Sequence, residues 1–396
     1  MIAREIKPDI QAFASVHWER RLFDSLIPLP DGTSYNAYLV KGDSATALID
    51  TTDPDFRDDF LTRLEHVERI DYIVSNHSEQ DHSGVLPDLL ELYPEAVLVC
   101  STKARDLLLT HLDLDEARVR VVKDGEEISL GGKTMRFIYT PWVHWPETMC
   151  TFIPESKILF SCDFFGSHLA TSDIFVTEQA LTLQSAKRYY AEIMMPFRAA
   201  IQGNMKKLEG LDFDMIAPSH GPVYDDPGFI LDAYREWISP KLKNEVCLPY
   251  VSMHGSTKLM VEYLTDALVE RGVKVHVFDL TVTDLGSLAM SLVDCATLIA
   301  ATPTVHVGAH PVMYYAAHIA NMVRPKLKFA AVIGSYGWAT KAAEAIVGQI
   351  PSLKVEVLGT VMQKGLPTEE TFAQLDALAD AVVKAHIAEG IEMDAR

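Results

Sequence analysis

Four potential metal ligands stand within six residues in the string NHSEQDHSG, which directly follows a buried-strand pattern at DYIVSN (71–76). These ligands are His77, Glu79, Asp81 and His82. Side chains alternate along an extended chain, so His77 and Glu79 are expected to project to the same side. Asp81 and His82 are adjacent, and we expect them to diverge and to bind two different metal ions. A helix is expected to begin at Ser83, and its positive end favours the nearby carboxylates.

Three further residues of metal-binding type lie in or just after later predicted strands: His144 in PWVHWPE, Asp163 in FSCDFFG and His220 in APSHGP. Strand ends that meet at one edge of a sheet are where α/β proteins build their sites. Each residue alone is compatible with ordinary packing, but the whole set predicts a two-metal site. Carboxylates mixed with imidazoles suit iron or manganese. Glu79, Asp81 and Asp163 supply three negative charges, so two divalent ions and one bridging hydroxide would be neutral.

The elements that must position these residues follow an α/β pattern in the first half of the chain. Predicted strands occupy residues 34–40, 46–50, 71–76, 96–100, 118–122, 133–140, 148–154, 157–163 and 213–220. Helices are predicted at residues 53–67, 84–93, 103–112, 181–208 and 227–240. Strands interleaved with helices predict a layered α/β domain.

From Glu245 the pattern becomes a regular alternation of five apolar strands, each followed by a helix. The helices are expected at residues 257–271, 284–293, 311–323, 338–349 and from Thr368 onward. This alternation predicts a doubly wound parallel sheet. The polar, proline-containing segment ISPKLKN (238–244) is the best boundary. We therefore predict two domains, residues 1–243 and residues 244–396.

Three segments at strand ends of the second domain have the composition of a phosphate and flavin site. The run YVSMHGSTKLM (250–260) joins a strand to a helix whose N–H groups favour a phosphate. It lacks the lysine of a nucleoside triphosphate loop. ATPTVHVGAHP (301–311) predicts a Thr-Pro-Thr turn, and GSYGWAT (334–340) places two aromatic rings among glycines, which suits a planar flavin. The candidate flavin-binding residues are Ser252, Met253, His254, Gly255, Ser256, Thr257, Thr302, Pro303, Thr304, Val305, Ser335, Tyr336, Gly337, Trp338 and Ala339.

Composition narrows the classes of partner and location. A formal net charge of −20 disfavours nucleic acid and anionic membrane surfaces as partners. No apolar run is long enough to span a bilayer and the N-terminus MIAREIKPDI lacks an apolar signal region, so a cytoplasmic location is expected. The five cysteines form no CxxC pair, which argues against a disulfide framework, a zinc ribbon or a four-cysteine iron site.

The spacing HxExDH, followed by His, Asp and His at strand ends, resembles the flavodiiron branch of the metallo-β-lactamase superfamily. The stretch 18–40 and the flavin segments extend this resemblance to nearly the whole chain. The fold implied is α/β: an N-terminal metallo-β-lactamase-like αββα sandwich and a C-terminal flavodoxin-like doubly wound sheet that binds FMN. The hydrolytic zinc branch usually shows HxHxDH, so Glu79 favours redox iron over zinc hydrolysis.

The resemblance also implies a ligand set for two iron ions. One ion would be bound by His77, Glu79 and His144. The other would be bound by Asp81, His82 and His220. Asp163 would bridge the two ions, together with an oxo or hydroxo group. Asp50 matches a position at which a carboxylate orients a ligand histidine, and Ala339 stands where the family often has glycine.

The implied activity is reduction of oxygen to water or of nitric oxide to nitrous oxide, with electrons relayed through FMN from an external donor. Rubredoxin, a deazaflavin cofactor or a flavin reductase are candidate donors, and a head-to-tail homodimer is implied. Two alternatives stay open: a zinc hydrolase with a vestigial flavodoxin domain, and an FMN electron-transfer protein without gas chemistry. The sequence separates neither oxygen from nitric oxide nor a dimer from a tetramer. His168, Tyr189 and Tyr190 match no ligand position, and we interpret them as local packing.

Overall fold

The computed structural model describes residues 1–393 of the chain. These residues divide into two compact units. The first unit comprises residues 1–189 and 197–238, and the second comprises residues 190–196 and the chain from residue 239 onward. Among the described residues, no helix is both long and apolar enough to cross a membrane.

The first unit contains two main β-sheets. Its strands are β1 (Ile2–Lys7), β2 (Ile10–His17), β3 (Leu22–Phe23), β4 (Ile27–Pro28), β5 (Thr33–Lys41), β6 (Thr46–Ile49), β7 (Tyr72–Ser75), β8 (Val97–Ser101), β9 (Val119–Val122), β10 (Glu127–Ser129), β11 (Thr134–Tyr139), β12 (Met149–Ile153), β13 (Ile158–Cys162) and β14 (Met215–Pro218). One sheet has seven strands in the order β1-β2-β5-β6-β7-β8-β9, and the other has five in the order β10 to β14. Strands β6 to β9 run parallel, as do β13 and β14, so their carboxyl ends lie at common edges.

The two sheets of the first unit share one apolar core. Tyr38 and Val74 of the seven-stranded sheet belong to the same buried cluster as Phe137 and Phe160 of the five-stranded sheet. The helices of this unit are α1 (Arg57–Leu64), α2 (Gln80–Ser83), α3 (Leu86–Leu92), α4 (Thr102–His111), α5 (Gln179–Tyr189), α6 (Arg198–Leu208) and α7 (Gly228–Ile238). A second cluster joins the other face of the seven-stranded sheet to α1, α3 and α4. Sheets packed face to face with helices outside give the predicted αββα sandwich.

The second unit is built on a parallel sheet of the doubly wound type. Its strands are β15 (Lys243–Tyr250), β16 (Lys274–Asp279), β17 (Cys295–Val305), β18 (Gly308–Ala309), β19 (Phe329–Tyr336) and β20 (Glu356–Lys364). The parallel strands lie in the order β16-β15-β17-β19-β20, which is the flavodoxin order 2-1-3-4-5. The helices are α8 (Ser256–Glu270), α9 (Leu285–Leu292), α10 (Pro311–Val323), α11 (Ala342–Val347) and α12 (Glu369–Ala388). Helices α8 and α12 share a buried cluster with the sheet. The predicted fold class is therefore confirmed in both units.

Several local predictions were wrong. The strands Ile2–Lys7 and Ile10–His17 were not predicted, because the first is an edge strand that buries a single residue and shows no apolar alternation. The single helix predicted over 181–208 is interrupted by a π-helical segment at Tyr190–Met194 and a 3₁₀ turn that contains Pro196. The Thr-Pro-Thr turn is instead the end of β17, and the turn follows at His306 and Val307, which have positive φ angles of 47° and 71°.

Candidate functional site

The predicted metal ligands lie where strands of the first unit end. His77 follows β7 after one intervening residue, Asp163 directly follows β13, and His220 follows β14 after one. His144 lies in the loop between β11 and β12, and Asp81 and His82 lie in the short helix α2. Because β7, β13 and β14 end at the same edges of the sandwich, their terminal side chains meet there. The structure brings all seven predicted ligands together in two adjoining groups.

The first group is formed by His77, Glu79, His144 and Asp163. Glu79 Oε2 lies 3.1 Å from His77 Nε2 and 3.1 Å from His144 Nε2. Asp163 Oδ2 lies 3.5 Å from His77 Nε2 and 3.3 Å from His144 Nε2. His77 and Glu79 therefore project to the same side, as the alternation predicts. Two imidazoles and two carboxylates face a single point.

The second group is formed by Asp81, His82 and His220. Asp81 Oδ2 lies 3.2 Å from His82 Nε2 and 3.3 Å from His220 Nε2. The other oxygen of Asp163, Oδ1, lies 2.9 Å from His82 Nε2 and 3.4 Å from His220 Nε2. The expectation that Asp81 and His82 diverge was wrong. The helical turn begins at Gln80 and not at Ser83, and it directs both side chains into this group.

Several buried polar atoms at this centre lie close to one another but make no hydrogen bond with any of the described residues. They are both carboxylate oxygens of Asp81, both ring nitrogens of His82 and Oδ1 of Asp163. Burying such atoms without partners is costly, so they fit ligation of cations that would satisfy them. The electrostatic field of the centre also favours cations. Burial opposes protonation of His82 and His144, but the surrounding carboxylates outweigh burial and raise the pKa of each histidine to about 9.

Metal uptake at this centre is expected to release protons at neutral pH. When no metal is bound, a pKa of about 9 keeps His82 and His144 protonated at pH 7, whereas a metal ligand must be neutral. Apparent metal affinity should therefore rise as the pH approaches about 9, and His82 and His144 should release fewer protons as the pH rises through that value. Calorimetric titration of the apoprotein with Fe²⁺, in buffers of different ionisation enthalpy, measures this release. Uptake at pH 7 without proton release would contradict the prediction.

A carboxylate that sequence reasoning did not identify supports the first group. Glu147 Oε1 accepts a hydrogen bond of 2.7 Å from Nδ1 of His77. It also accepts bonds from the backbone N–H and the hydroxyl of Ser78, at 3.1 and 2.7 Å. Burial opposes ionisation of Glu147, but these donors outweigh it and lower its pKa. The only signal in the sequence is a glutamate three residues after His144, which also reads as an ordinary loop residue.

Asp50 supports the centre by a different route from the one expected. Its carboxylate accepts bonds from the backbone N–H and the side-chain amide of Asn76, at 2.8 and 3.0 Å, and from the Ser219 hydroxyl at 3.4 Å. Within residues 1–393, no hydrogen bond joins Asp50 to a predicted ligand imidazole. The prediction that Asp50 helps to orient a ligand histidine stays a prediction, and any such effect would be indirect. Asp50 instead ties together the residues that precede His77 and His220.

Aromatic rings surround the second group. The His168 ring lies 5.0 Å from the His220 ring, 4.7 Å from the Tyr189 ring and 5.2 Å from the Phe23 ring. His168 Nδ1 lies 2.9 Å from the Thr33 hydroxyl, and burial holds its pKa well below the usual value. A neutral His168 therefore packs against the back of His220. Tyr190, in contrast, belongs to the π-helical segment assigned to the second unit.

The second unit contains a cavity of about 350 Å³ at the carboxyl ends of its strands. It lies where the strand order reverses between β15 and β17, the point at which doubly wound sheets bind ligands. The lining residues are Ser252, Met253, His254, Ser256, Thr257, Pro303, Thr304, Ser335, Tyr336, Gly337, Trp338 and Gly365. Gly365, which follows β20, was not predicted. The predicted residues Gly255, Thr302, Val305 and Ala339 are not among those that line the cavity.

The loop before α8 has the geometry of an anion site. Ser252 Oγ accepts hydrogen bonds from the backbone N–H groups of Gly255 and Lys258, at 3.2 and 3.3 Å. Gly255 adopts a positive φ of 90°, a conformation that L-residues rarely adopt. Helix α8 begins at Ser256 and runs for 15 residues, so its positive end opens into the cavity. The loop and helix can therefore hold a phosphate.

Comparison with known proteins gives matches over nearly the whole chain. The family model described as ODP family beta lactamase matches residues 33–221. The chain is 33% identical to the nitric oxide reductase of Moorella thermoacetica, over 87% of this chain and 88% of that protein. It is 33% identical to a type A flavoprotein of Rhodobacter capsulatus, over 86% of this chain and 83% of that protein. The solved structure of rubredoxin oxygen:oxidoreductase from Desulfovibrio gigas aligns with a TM-score of 0.94 at 27% identity, covering 99% of this chain and 100% of that one.

Proposed function

This chain belongs to the flavodiiron proteins, also called type A flavoproteins, and from that premise we propose a specific activity for it. It reduces oxygen to water with four electrons and four protons, or two nitric oxide molecules to nitrous oxide and water with two of each. Relatives named for nitric oxide and for oxygen support both substrates. The observation that carries the proposal is Asp163, whose two carboxylate oxygens face two separate groups of histidines.

The proposed ligand set has two halves joined by Asp163. One iron is held by His77, Glu79 and His144. The other is held by Asp81, His82 and His220. The buried atoms without hydrogen-bond partners and the anionic field of the site support this assignment. Iron bound by these residues would supply the electrons that reduction of the gas requires, which zinc could not do because it has no redox change.

The protein side chains hold these ligands in place and keep water away. His220 Nδ1 donates to the Ser34 carbonyl at 2.8 Å, which leaves Nε2 free to bind a metal. His77 is fixed in the same sense by Glu147. The buried rings of Phe23, His168 and Tyr189 exclude solvent from the side of His220. A small uncharged gas can enter these apolar surroundings because leaving water costs it little hydration free energy.

We assign the flavin to the cavity of the second unit and identify it as FMN. The Ser252–Thr257 loop would hold the phosphate, and the rings of Tyr336 and Trp338 would contact the isoalloxazine. The chemistry supports FMN, because a single phosphate suits one helix N-terminus with hydroxylated side chains. The domains would be residues 1–243 for iron and 244–396 for FMN, and the separation of the two compact units near residue 238 supports this division.

The names of the relatives indicate which external electron donors this protein would use. A relative of similar structure is named for rubredoxin, which supports a small redox protein as donor, with a deazaflavin cofactor or a flavin reductase as the other candidates. We also propose a head-to-tail homodimer that brings the FMN of one chain to the iron pair of the other. Sedimentation equilibrium, which measures molar mass in solution, distinguishes a monomer from a dimer or tetramer.

Anaerobic stopped-flow spectroscopy of the fully reduced holoprotein tests the activity. Mixing with oxygen and, separately, with nitric oxide is expected to reoxidise the flavin rapidly through the iron pair. The ratio of the two rates measures the preference between the gases. A His144→Ala variant with intact FMN should reoxidise far more slowly with both gases. If that variant reoxidises as fast as wild type, the protein is an electron-transfer flavoprotein whose metal centre is dispensable.

A further inference from the structure

The two groups of metal ligands differ in what stands behind their histidines. Behind His77 stands the carboxylate of Glu147, whose side chain is fully buried and 2.7 Å from Nδ1. Behind His220 stands the neutral backbone carbonyl of Ser34, 2.8 Å from Nδ1. The Nδ1 atom of His82, the other imidazole of that group, has no hydrogen-bond partner among the described residues. Within residues 1–393, a carboxylate therefore hydrogen-bonds Nδ1 of an imidazole in the His77 half, whereas neither imidazole of the His220 half has such a partner.

Glu147 is held firmly enough to act as a fixed charge. Ser78 donates two hydrogen bonds to Oε1, and the Ser101 hydroxyl at the end of β8 donates to the Glu147 carbonyl at 2.7 Å. The other carboxylate oxygen, Oε2, is buried and has no hydrogen-bond partner in the described part of the chain. All the hydrogen bonds to this carboxylate therefore converge on Oε1, the oxygen that faces Nδ1 of His77. Together with Glu79, this gives the His77 half one more carboxylate than the His220 half.

A carboxylate that accepts the Nδ1 proton increases the electron density on Nε2 and makes the imidazole a stronger donor to its metal. A stronger donor stabilises the higher oxidation state. We propose that Glu147 is a positioning residue that makes the two irons unequal: the iron bound by His77 retains the ferric state longer than the iron bound by His220. This proposal rests on the di-iron assignment above. With iron bound, the His82–His220 site would therefore take up the first electron and the His77–His144 site the second.

A redox titration of the holoprotein followed by electron paramagnetic resonance tests this order. Wild type is expected to show two separated one-electron steps, with a mixed-valence signal between them. In Glu147→Gln the second step should move to higher potential while the first stays in place. The mixed-valence signal should therefore shrink, and the comproportionation constant should fall about tenfold, the low end of effects for residues that support metal ligands. Iron affinity, measured by competition with a chelator, should fall by a similar factor.

Two further variants separate this role from a merely structural one. Ser78→Ala keeps the carboxylate but removes one of its donors, so it should move the second step measurably, and it remains informative if Glu147→Gln folds poorly. Asp212→Asn removes an exposed carboxylate of the same unit that pairs with Lys157, so it should leave the separation of the two steps unchanged.

Different results would overturn the role of Glu147 and the gas-reducing activity on which that role rests. An unchanged separation of the two steps in both Glu147→Gln and Ser78→Ala overturns the role of Glu147, as does an equal shift of both steps. If wild-type protein binds no redox-active iron pair, the proposed function itself fails, and the Glu147 proposal fails with it. A wild-type protein that reduces both gases, with variants of unchanged potentials, leaves the proposed function intact and removes Glu147 alone.

Discussion

Replacement of Asp163 by alanine is expected to remove both irons together and to lower gas-dependent reoxidation at least about a hundredfold. The carboxylate oxygens of Asp163 lie within 3.5 Å of four imidazoles, two in each half of the site. Without this carboxylate, the two bound metals would repel each other more strongly and would be open to water. Even residues that only support a ligand contribute 10–100-fold, so about a hundredfold is a lower limit here. Iron content by elemental analysis and stopped-flow rates with oxygen measure the two effects.

A graded series of variants makes this prediction specific. Asp81→Ala affects only the His82–His220 half and should leave one iron per chain, because Glu79 and Asp163 remain for the other. Asp212→Ala removes an exposed carboxylate that pairs with Lys157 in the same unit, and it should keep both irons and full activity. Asp163→Ala protein that retains two irons would show that the carboxylate does not join the halves of the site.

The fold was largely predictable because the strands and helices of both units show clear local patterns of apolar residues. Five apolar strands alternating with helices specify a parallel sheet, since a parallel pair needs a crossover helix. The errors fall where tertiary context decides the local structure. The edge strand Ile2–Lys7 buries one residue and is held by pairing with Ile10–His17, a contact that no window of sequence reports. Likewise, β17 extends through Pro303 because it pairs with both β19 and the short strand β18.

The ligands of the candidate metal site were predictable from the sequence, but the residues that hold those ligands in place were not. All seven proposed ligands have side chains that are seldom buried without a partner, and four of them stand within six residues. Their supports carry no such signal. Asp50 and Glu147 are both acidic residues near strand ends, and only the fold decides that Glu147 reaches an imidazole while Asp50 reaches Asn76. Gly365 is similar, because a glycine after a strand is ordinary until the strand order places it beside the flavin cavity.

Loss of the flavin is expected to abolish donor-driven turnover while leaving the iron chemistry intact. Ser252→Ala removes the hydroxyl that accepts from Gly255 and Lys258, so the proposed phosphate loop loses its shape and two N–H groups lose a partner. Each of the two lost hydrogen bonds contributes about 1 kcal/mol to holding the loop in shape. FMN affinity should therefore fall roughly tenfold or more. Fluorescence titration of the deflavinated protein with FMN measures this change.

Two assays, one of donor-driven turnover and one of iron reoxidation by oxygen, distinguish the role of the flavin unit from that of the iron unit. With reductase and rubredoxin as donor, turnover of Ser252→Ala should follow its FMN content and recover when excess FMN is added. When the same protein is first reduced chemically, its iron pair should react with oxygen at the wild-type rate, because every proposed iron ligand lies in the first unit. Ser352→Ala changes an exposed serine of the second unit that does not line the cavity, and it should match wild type in both assays. Flavin-free protein that sustains donor-driven turnover would mean that electrons reach the iron pair without FMN.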